Sequence, residues 1–373
     1  MRVGLFLPSL AAGGAERITL TLAEGLSRRG YQVDLVLARA DGPLLAQIPS
    51  PLRLVDFKSG RVAQSLLPLV RYLKRERPVV LLSSLNHANV VAIWARRMAR
   101  VPTRLVVAEH IGVLPSAAWS QTLRGKLMPF WIRNTYPWAD AVVAVSRGVA
   151  EELVRDLGVP REKVRTIYNP VVTEELYQKA EEPLEHPWFR PGEEPVVLGV
   201  GRLVPQKDFS LLIRAFAKVR QRVPSRLLIL GEGPERPALE ALVRGLGLEA
   251  YVEMPGFMAN PYPYMRRASV LALSSASEAL PTVLIEALAL GTKVVATDCP
   301  YGPAEVLEGG RWGRLVPVGD EEALAKALME ALLQPDSETE KQARARRARE
   351  RFGLEEALRA YEEVLGLRDN RAR

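Results

Sequence analysis

The sequence predicts an α/β protein of two domains, each a doubly wound parallel sheet. The chain has 373 residues, which is more than one hydrophobic core usually organises. Short apolar segments of strand length alternate with amphipathic segments of helix length, the pattern of successive βα units. In both halves a glycine-rich loop follows a strand and precedes a helix, and such loops let a ligand approach the backbone closely.

The first domain is expected to span residues 1–172 and to contain seven strands. Its first strand runs into the loop at 9–17, and the following helix ends at Gly30. The strands are expected at residues 2–8, 32–38, 52–57, 79–82, 104–108, 139–146 and 164–167. The helices between them are expected at residues 18–29, 65–77, 89–99 and 147–157.

The second domain, residues 173–354, is expected to repeat this alternation. Residues 174–192 are interpreted as an irregular crossing segment because they contain several prolines. The strands are expected at residues 195–200, 227–230, 252–254, 271–274, 293–297 and 315–318. The helices are expected at residues 210–219, 235–244, 282–290, 321–333 and 338–365, the last with a break at Phe352 and Gly353.

The charge of the chain is unevenly distributed. The net charge is +8, and residues 1–170 hold 24 Lys and Arg against 12 Asp and Glu, whereas the remainder holds 27 against 31. A basic first domain suits an anionic partner, such as nucleic acid, anionic lipid or a lipid-pyrophosphate acceptor. No helix-turn-helix, zinc or RNP-type motif is present, so we do not expect nucleic acid binding. A basic surface that only maintains solubility is the alternative.

The compartment is predicted from one cysteine and from the start of the chain. Cys299 alone cannot form an intrachain disulfide, which suits a reducing cytosol. The apolar start is interrupted by Pro8 and does not read as a signal peptide, and no apolar run reaches the ~18 residues of a spanning helix. We therefore expect a cytoplasmic protein.

A basic and aromatic segment at residues 117–138 suggests contact with a membrane surface. It combines Arg124, Lys126 and Arg133 with tryptophan, phenylalanine and tyrosine, a mixture typical of lipid interfaces. Our hypothesis is that this segment and the basic helix at 71–77 rest on the inner leaflet. Alternatively, the aromatic side chains belong to the core.

The stretch from 271 to 298 combines an anion site with two acids. It reads as strand, loop, helix, turn and strand, and Pro281 suits the first helical position. Unpaired backbone N–H groups at residues 280–283 would attract an anion. Glu278 would lie at the mouth of this site and Glu286 beside it. The arrangement fits a nucleotide sugar, which has a central diphosphate and polyol rings at both ends. An ordinary α/β unit with two solvated glutamates would share the spacing.

The residues themselves resemble the donor motif of the family-four retaining glycosyltransferases. Residues 278–291 read EALPTVLIEALALG and are followed by VVAT. The resemblance implies the GT-B fold, in which two doubly wound domains face each other across a cleft. It also implies that Glu278 contacts the donor sugar and Glu286 the ribose. Ala279 and Leu280 replace the Gly and Phe often found there, which leaves the choice of sugar open.

Other motifs of the second domain extend this resemblance. Arg202 and Lys207 follow a strand beside a glycine turn, where Arg can fork two phosphate oxygens and Lys can add a point charge. The stretch GRLVPQKD resembles the diphosphate-binding segment of the family, which implies that these two residues hold the leaving diphosphate. The complete set of expected donor-binding residues is Gly13, Gly14, Gly201, Gly231, Phe257, Leu280, Pro281, Thr282 and Glu286.

In the first domain the resemblance is looser. Gly13 and Gly14 lie in a loop similar to the one that meets the donor diphosphate in this family. The fifth strand delivers Glu109 and His110 to its carboxyl end, at the sheet edge where parallel sheets bind ligands, and the family places a His there against the donor sugar. Asn86 and His87, after the fourth strand, are weaker candidates for acceptor contact. The final helix, at about 355–373, is expected to pack back onto this domain as in GT-B enzymes.

The resemblance implies retaining transfer of a hexose or N-acetylhexosamine, with UDP as the expected nucleotide, to a hydroxyl of a glycan or lipid-linked acceptor in cell-surface polysaccharide or glycolipid synthesis. Residues 298–305 resemble a subset that builds surface polysaccharides and oligosaccharides. No Asp-x-Asp metal motif is present, so we expect no metal and no cofactor. The glycine loop lacks the G-x-G-x-x-G pattern of dinucleotide oxidoreductases. A nucleotide-sugar epimerase or hydrolase on the same fold, or an inactive sugar-nucleotide-binding protein, remain the alternatives.

Overall fold

The computed structural model describes residues 1–11, 13–334 and 336–368 of the chain. It separates into two compact units: unit 1 contains Met1–Pro170 and the segment that begins at Leu354, and unit 2 is Val171–Gly353. The sequence predicts that the chain passes from the first domain to the second at 172/173 and returns to the first at about 354/355. Part of the helix expected at 355–373 lies outside the described residues.

Unit 1 is built on a seven-stranded parallel sheet with the order β3-β2-β1-β4-β5-β6-β7. Its strands are near-continuous apolar runs because helices cover both faces of a parallel sheet. In β1, for example, every residue from Val3 to Leu7 is buried. The strands are β1 Arg2–Leu7, β2 Gln32–Leu37, β3 Arg53–Asp56, β4 Val80–Ser84, β5 Arg104–Glu109, β6 Ala141–Ala144 and β7 Val164–Thr166.

Three short helices of unit 1 were not predicted from the sequence. They are α4 to α6, where Pro115, Gly125 and Pro129 interrupt any long apolar period. The helices of this part are α1 Gly14–Arg28, α2 Leu66–Glu76, α3 Asn86–Ala99, α4 Val113–Trp119, α5 Leu123–Lys126, α6 Met128–Thr135 and α7 Arg147–Glu151. Helix α7 continues as a π-helical turn, Glu152–Asp156, and 3₁₀ turns lie at Pro43–Gln47, Val62–Ser65, Tyr136–Trp138 and Arg161–Lys163.

Unit 2 contains a six-stranded parallel sheet with the order β10-β9-β8-β11-β12-β13. Its strands are β8 Val196–Val200, β9 Arg226–Leu230, β10 Val252–Gly256, β11 Val270–Leu273, β12 Val294–Thr297 and β13 Arg314–Val316. Its helices are α8 Glu174–Ala180, α9 Phe209–Arg220, α10 Arg236–Gly245, α11 Tyr262–Arg267, α12 Thr282–Ala289, α13 Gly302–Val306, α14 Glu321–Leu333 and α15 Glu338–Phe352. Two 3₁₀ turns lie at Pro187–Phe189 and Pro205–Lys207.

The expectation of an irregular segment at 174–192 was wrong for its first part. Helix α8 forms there because Thr173 caps it, accepting a hydrogen bond from the Leu176 N–H, and two glutamates occupy its first turn. It also packs against α11. The prolines that suggested irregularity all lie after this helix.

The chain returns to unit 1 in a last helix, α16, Leu354–Val364. It packs on α1, where a side chain on Gly25 would meet the Leu358 side chain at 2.7 Å. Arg29 secures the contact through ion pairs of 2.6 Å with both Glu355 and Glu362. The break expected at Phe352 and Gly353 separates α15 from α16.

Candidate active site

Two loops meet at the carboxyl edge of the unit 2 sheet. β8 and β11 are neighbours in the sheet although β9 and β10 separate them in the chain. The strand order reverses between them, and open parallel sheets bind ligands in the crevice outside such a pair. The loop after β8 carries Lys207 and the loop after β11 carries Glu278. The fold thus brings together two predicted site residues that lie 71 positions apart.

Lys207 and Glu278 form a mostly buried ion pair. The Lys207 ammonium contacts Oε1 of Glu278, and their side chains are 17% and 9% exposed. The Ser275 hydroxyl donates a second hydrogen bond to Oε1, at 2.7 Å. Among the described residues, none donates a hydrogen bond to Oε2 of Glu278. The carboxylate is therefore fixed on one oxygen and open on the other.

Three hydrogen bonds to backbone carbonyl oxygens hold the two loops against each other. The Ser274 hydroxyl donates to the carbonyl of Lys207 at 2.9 Å, and the Gln206 amide donates to the carbonyl of Ser277 at 2.7 Å. The Ala276 N–H donates to the carbonyl of Gln206 at 2.9 Å. These contacts could not be predicted from the sequence, because they depend on which strands are neighbours. They leave the ion pair little freedom to move.

Arg202 differs from Lys207 in having a free side chain. It is exposed and has neither a hydrogen bond nor an ion pair with any residue that the structure describes. The Lys207 stem lies near Gly201, the residue before Arg202: an added Cβ on Gly201 would be in ordinary van der Waals contact, 3.5 Å from Lys207 Cε. Two cations therefore follow β8, one held in place and one available.

Helix α12 presents its amino-terminal end beside this pair. Pro281 is the N-cap residue, with an extended ψ of 99°, and not the first helical residue as expected. Pro281 has no side chain that could cap the helix, and no described side chain accepts from its first N–H groups. These N–H groups and the positive end of the helix dipole are therefore available to an anion. Thr282 begins the helix and Leu280 is buried beneath its start. Glu286 lies in the second turn, and the Tyr262 hydroxyl donates to its carboxylate at 3.3 Å.

Gly302 allows another backbone segment to pack against the start of α12. An added Cβ on Gly302 would lie 2.3 Å from Pro281 Cδ and 2.9 Å from the carbonyl oxygen of Ala279. Its N–H donates to the carbonyl of Glu278 at 3.3 Å. Tyr301, just before it, has a φ of 77°, a conformation that is costly for a residue with a side chain. This strained turn positions both Glu278 and the end of α12, and sequence reasoning missed it.

On the other side of β8, the backbone is also closely packed at the carboxyl ends of β9 and β10. Gly231 has a φ of 151°, and an added Cβ would lie 1.8 Å from the carbonyl oxygen of Gly201. Its N–H donates to the carbonyl of Gly256 at 2.8 Å. Phe257, which follows Gly256 in the chain, is 62% exposed. A planar group could therefore lie over these glycines against an accessible aromatic ring.

In unit 1 the strand order reverses between β1 and β4, and two predicted elements lie there. Gly13 is the N-cap residue of α1, and Gly14 begins the helix with open space around it. The Glu16 side chain folds back to within reach of Gly13, and burial raises the pKa of its carboxyl group.

Asn86 and His87 lie in the first turn of α3, not in a loop before it as expected. His87 Nδ1 and Asn86 Oδ1 are 3.3 Å apart. Burial, with the positive charge of Arg124, lowers the pKa of His87.

His110 follows β5 directly and has no hydrogen-bond partner for its ring among the described residues. Both ring nitrogens are buried, although the residue as a whole is partly exposed. Burial lowers the pKa of His110 to about 4, so the ring is neutral at physiological pH. A neutral imidazole offers one N–H donor and one nitrogen acceptor. The ring can therefore donate a hydrogen bond to a hydroxyl group or accept one from it.

A buried polar network lies next to His110. Glu109 is fully buried, and one of its oxygens accepts a hydrogen bond of 2.7 Å from the Tyr136 hydroxyl. The Asn89 amide donates to that hydroxyl, at 2.9 Å. Burial raises the pKa of Glu109 to about 8, and the nearby charge of Glu152 contributes. Sequence analysis had placed Glu109 at the strand end but had not predicted its partners.

Five aromatic side chains on the helices and turns of unit 1 are exposed, and we call them together the aromatic surface. Phe130 is 59% exposed and Trp119 50%. Arg97 stacks on Trp138 at 4.1 Å, and Trp94 meets the same ring edge-on at 5.2 Å. The complete set is Trp94, Trp119, Phe130, Trp131 and Trp138. These side chains are more exposed than a core location would allow.

The described part of the chain contains neither a metal-binding cluster nor a membrane-spanning helix. Within 1–11, 13–334 and 336–368, no group of three or more His, Cys, Asp or Glu side chains could hold a metal ion. Over the same ranges no helix has both the length and the apolar character needed to cross a bilayer.

Two family models together match most of the chain. The model described as "Glycosyl transferases group 1" matches residues 181–351, and "Glycosyltransferase Family 4" matches residues 12–175. The structure of Anabaena HepE in complex with UDP superposes with a TM-score of 0.81 at 23% identity, covering 98% of this chain and 100% of that one. This likeness confirms the predicted GT-B fold.

Two relatives reach an identity of 30% or more over most of their length. The 4-alpha-N-acetylgalactosaminyltransferase of Campylobacter jejuni that acts on N-acetylgalactosamine-N,N'-diacetylbacillosaminyl-diphospho-undecaprenol is 32% identical, over 88% of this chain and 89% of its own. The lipopolysaccharide core biosynthesis glycosyltransferase LpsE of Rhizobium meliloti is 30% identical, over 85% and 84%. As its donor motif predicted, the chain belongs to the family-four glycosyltransferases, which makes it a hexosyltransferase with the GT-B fold.

Proposed function

We propose that this enzyme transfers an N-acetylhexosamine from a UDP donor to a hydroxyl of a lipid-linked glycan, with retention of the anomeric configuration. The observation that carries the proposal is the convergence of Lys207, Glu278 and the uncapped start of α12 at the carboxyl edge of the unit 2 sheet. A diphosphate needs fixed positive charge, and a sugar needs fixed acceptors for its hydroxyl groups. These elements supply both.

The charge on the leaving diphosphate is the main electrostatic problem of the reaction. Lys207 and Arg202 provide two cations, and the α12 amino terminus adds backbone N–H donors. Groups held in place before the reaction stabilise developing charge without a cost of reorganisation. Because these groups already supply the positive charge, we propose that transfer needs no metal ion. Activity in EDTA equal to that in buffer supports this, and activity restored only by Mg²⁺ contradicts it.

The sugar and the nucleoside are assigned to other residues, each within its own unit. In unit 2, Oε2 of Glu278, to which no described residue donates a hydrogen bond, would accept from a sugar hydroxyl. In unit 1, the neutral His110 ring would bind a substrate hydroxyl group. Glu286 is placed for the ribose hydroxyls, and Phe257 beside the glycines of β9 and β10 for the base. Such fixed contacts hold the sugar in the orientation for reaction.

The proposed reaction needs no nucleophile from the protein. The acceptor oxygen attacks the anomeric carbon on the face from which the diphosphate departs. The C1–O bond to phosphate breaks, the C1–O bond to the acceptor forms, and the acceptor proton passes to the departing phosphate oxygen. Configuration is therefore retained. Lys207 stabilises the phosphate oxygen until it takes up the proton.

The identity of the substrates is proposed from the relatives. Two Campylobacter jejuni relatives are named as N-acetylgalactosaminyltransferases acting on undecaprenol-linked diphosphate glycans, at 32% and 26% identity. Anabaena HepE has been solved with UDP and with UDP-glucose. These names support UDP as the nucleotide, an N-acetylhexosamine as the sugar and a lipid-diphosphate glycan as the acceptor.

Thermal-shift measurements with UDP, GDP, ADP and UDP-sugars test the donor assignment. We expect stabilisation by UDP and a larger shift with UDP-N-acetylgalactosamine, and both lost in Glu286→Ala. A ligand at ~100 times its Kd adds about 2.7 kcal/mol of stability. Glu249→Ala is the matched control, since Glu249 is exposed and has no partner among the described residues. No shift with any nucleotide contradicts the proposal, and UDP release or epimer formation without acceptor indicates a hydrolase or epimerase.

Gly302→Ala is expected to weaken UDP binding about tenfold or more, equivalent to about 1.4 kcal/mol. The added methyl group would displace Pro281 and Ala279 and so move the start of α12 away from the diphosphate. Calorimetric titration with UDP measures the effect. Gly245→Ala, at a helical glycine with no atom within 4 Å of the added Cβ, is the control. Unchanged affinity in Gly302→Ala would show that this turn does not position the site.

We further propose that unit 1 binds anionic membrane lipid through the aromatic surface. Phe130 and Trp131 are exposed on α6, beside the basic residues Arg124, Lys126 and Arg133. Helix α2, which packs against α3, adds exposed Arg71, Lys74 and Arg75. Aromatic rings among cations match the interface of a negatively charged bilayer. Such binding would place the enzyme beside a lipid-linked acceptor.

Vesicle flotation tests this second proposal. We expect binding to vesicles with anionic lipid at low salt, and little binding to neutral vesicles or at high salt. The double variant Phe130→Ser/Trp131→Ser should lose most of it. Leu246→Ser/Leu333→Ser, which removes two exposed apolar side chains from unit 2, is the matched control. No flotation of the wild type with anionic vesicles would overturn the proposal.

A further inference from the structure

We propose that Glu109 and Glu152 are positioning residues that fix the backbone on either side of His110. The inference rests on the proposed function, because it takes His110 to act in sugar transfer. One buried carboxyl group precedes His110 in the chain, and the other holds the N–H groups that follow it. Neither Glu109 nor Glu152 is exposed enough to touch a substrate, at 0% and 1%.

Glu109 anchors the end of β5 to two other elements. Its carboxyl group accepts from Tyr136 in the 3₁₀ turn, and Tyr136 accepts from Asn89 in α3. The Asn89 amide also donates to the carbonyl of Ala108 at 2.9 Å, which closes the network on the strand itself. All three side chains are fully buried. The last residue before His110 is therefore tied to the first turns of α3, where Asn86 and His87 lie.

Glu152 holds the chain just after His110. Its two carboxylate oxygens accept from the backbone N–H groups of Val113 and Leu114, at 2.8 and 2.9 Å. These N–H groups begin α4, so the acid also caps that helix. Glu152 itself begins the π-helical turn after α7, and such turns are frequent at functional sites. The loop between Glu109 and Val113 is thus held at both ends.

The ring of His110 depends on this backbone support. No described residue bonds either ring nitrogen, so only packing and the backbone direct the ring. Burying two acids near each other is costly, and the raised pKa of Glu109, to which the charge of Glu152 contributes, reflects that cost. Apolar side chains would fill the same volume more cheaply. An arrangement this costly indicates a need for fixed geometry at His110.

A double-mutant cycle separates a positioning role from a merely structural one. The measurements are kcat and KM with UDP-N-acetylgalactosamine and an N-acetylhexosamine-terminated undecaprenyl diphosphate, together with UDP affinity and Tm. We expect Glu109→Gln and Glu152→Gln each to lower kcat about tenfold, while UDP affinity stays within about twofold. The double variant His110→Ala/Glu109→Gln should differ in kcat from His110→Ala alone by less than about twofold, because Glu109 acts through the imidazole ring that His110→Ala has already removed.

Further variants keep the proposal falsifiable. Tyr136→Phe removes one hydroxyl and no charge, and it takes the place of Glu109→Gln if that variant does not fold. It should lower kcat in the same way, and its effect should likewise vanish when it is combined with His110→Ala. Tyr361→Phe, at a fully buried tyrosine of unit 1 whose hydroxyl has no described partner, should leave kcat unchanged. Normal kcat in Glu109→Gln and Glu152→Gln, or losses that multiply with that of His110→Ala, overturns the inference. Failure of the proposed function has a different signature: the wild type neither binds UDP nor transfers sugar.

Discussion

Lys207→Ala is expected to lower kcat by about 100- to 1000-fold, the range measured when one fixed donor to a developing oxyanion is removed. Lys207 is the cation that the fold holds in place, through its ion pair with Glu278 and its short distance from Gly201. Removing it leaves the diphosphate with Arg202 and the α12 amino terminus. Donor affinity should fall less than kcat, because charge on the departing phosphate grows in the transition state. Steady-state kinetics with saturating acceptor measures both effects.

A second lysine of the same unit provides the control for this prediction. Lys218 also pairs with glutamates, Glu321 and Glu322 at the start of α14, but it lies in the last turn of α9, at the end of that helix away from the loop after β8. Lys218→Ala should leave kcat unchanged. Lys207→Arg keeps the charge but not the compact shape, and we expect partial activity. If Lys207→Ala keeps kcat within about threefold of wild type, the leaving-group role of Lys207 is wrong.

The local structure of the candidate site in unit 2 was largely predictable because its signals are local in sequence. Glu278, Pro281 and Glu286 lie within one strand-loop-helix unit, so their spacing alone places them around a helix start. Arg202 and Lys207 form a similar local group. The details that failed were boundary details: Pro281 caps α12 and does not begin it, and Asn86 and His87 lie inside α3. A shift of a few residues at a helix end follows from capping, which composition shows poorly.

The rest of the site was not predictable because it depends on contacts between distant segments. Glu109 meets Tyr136 over 27 positions, and Glu152 meets the N–H of Val113 over 39. No spacing rule connects such residues, and each looks ordinary in its own segment. The pairing of Lys207 with Glu278 likewise requires β8 and β11 to be neighbours. Sequence motifs therefore predicted which residues bind, and the structure added the contacts that hold those residues in place.

Glu278→Ala is expected to have the largest effect on stability, lowering the free energy of unfolding by about 3 kcal/mol. Removing the carboxylate leaves the Lys207 ammonium, only 17% exposed, without its partner, and an uncompensated buried charge is costly. The Ser275 hydroxyl loses its acceptor as well. Sugar transfer should also be lost, because Oε2 of Glu278 is the acceptor proposed for the sugar. Chemical denaturation measures the first effect and the transfer assay the second.

The double variant Lys207→Ala/Glu278→Ala separates these two effects. Removing both partners takes the buried charge away, so we expect the double variant to be more stable than Glu278→Ala alone. Transfer should stay lost in the double variant, because neither the sugar acceptor nor the diphosphate cation is restored. Glu278→Gln keeps the size and one oxygen for Ser275, and we expect intermediate stability with low activity. A double variant as unstable as the sum of the two single ones would mean that the ion pair contributes nothing to stability, and that the Glu278 side chain supports the fold through its other contacts, such as the one with Ser275.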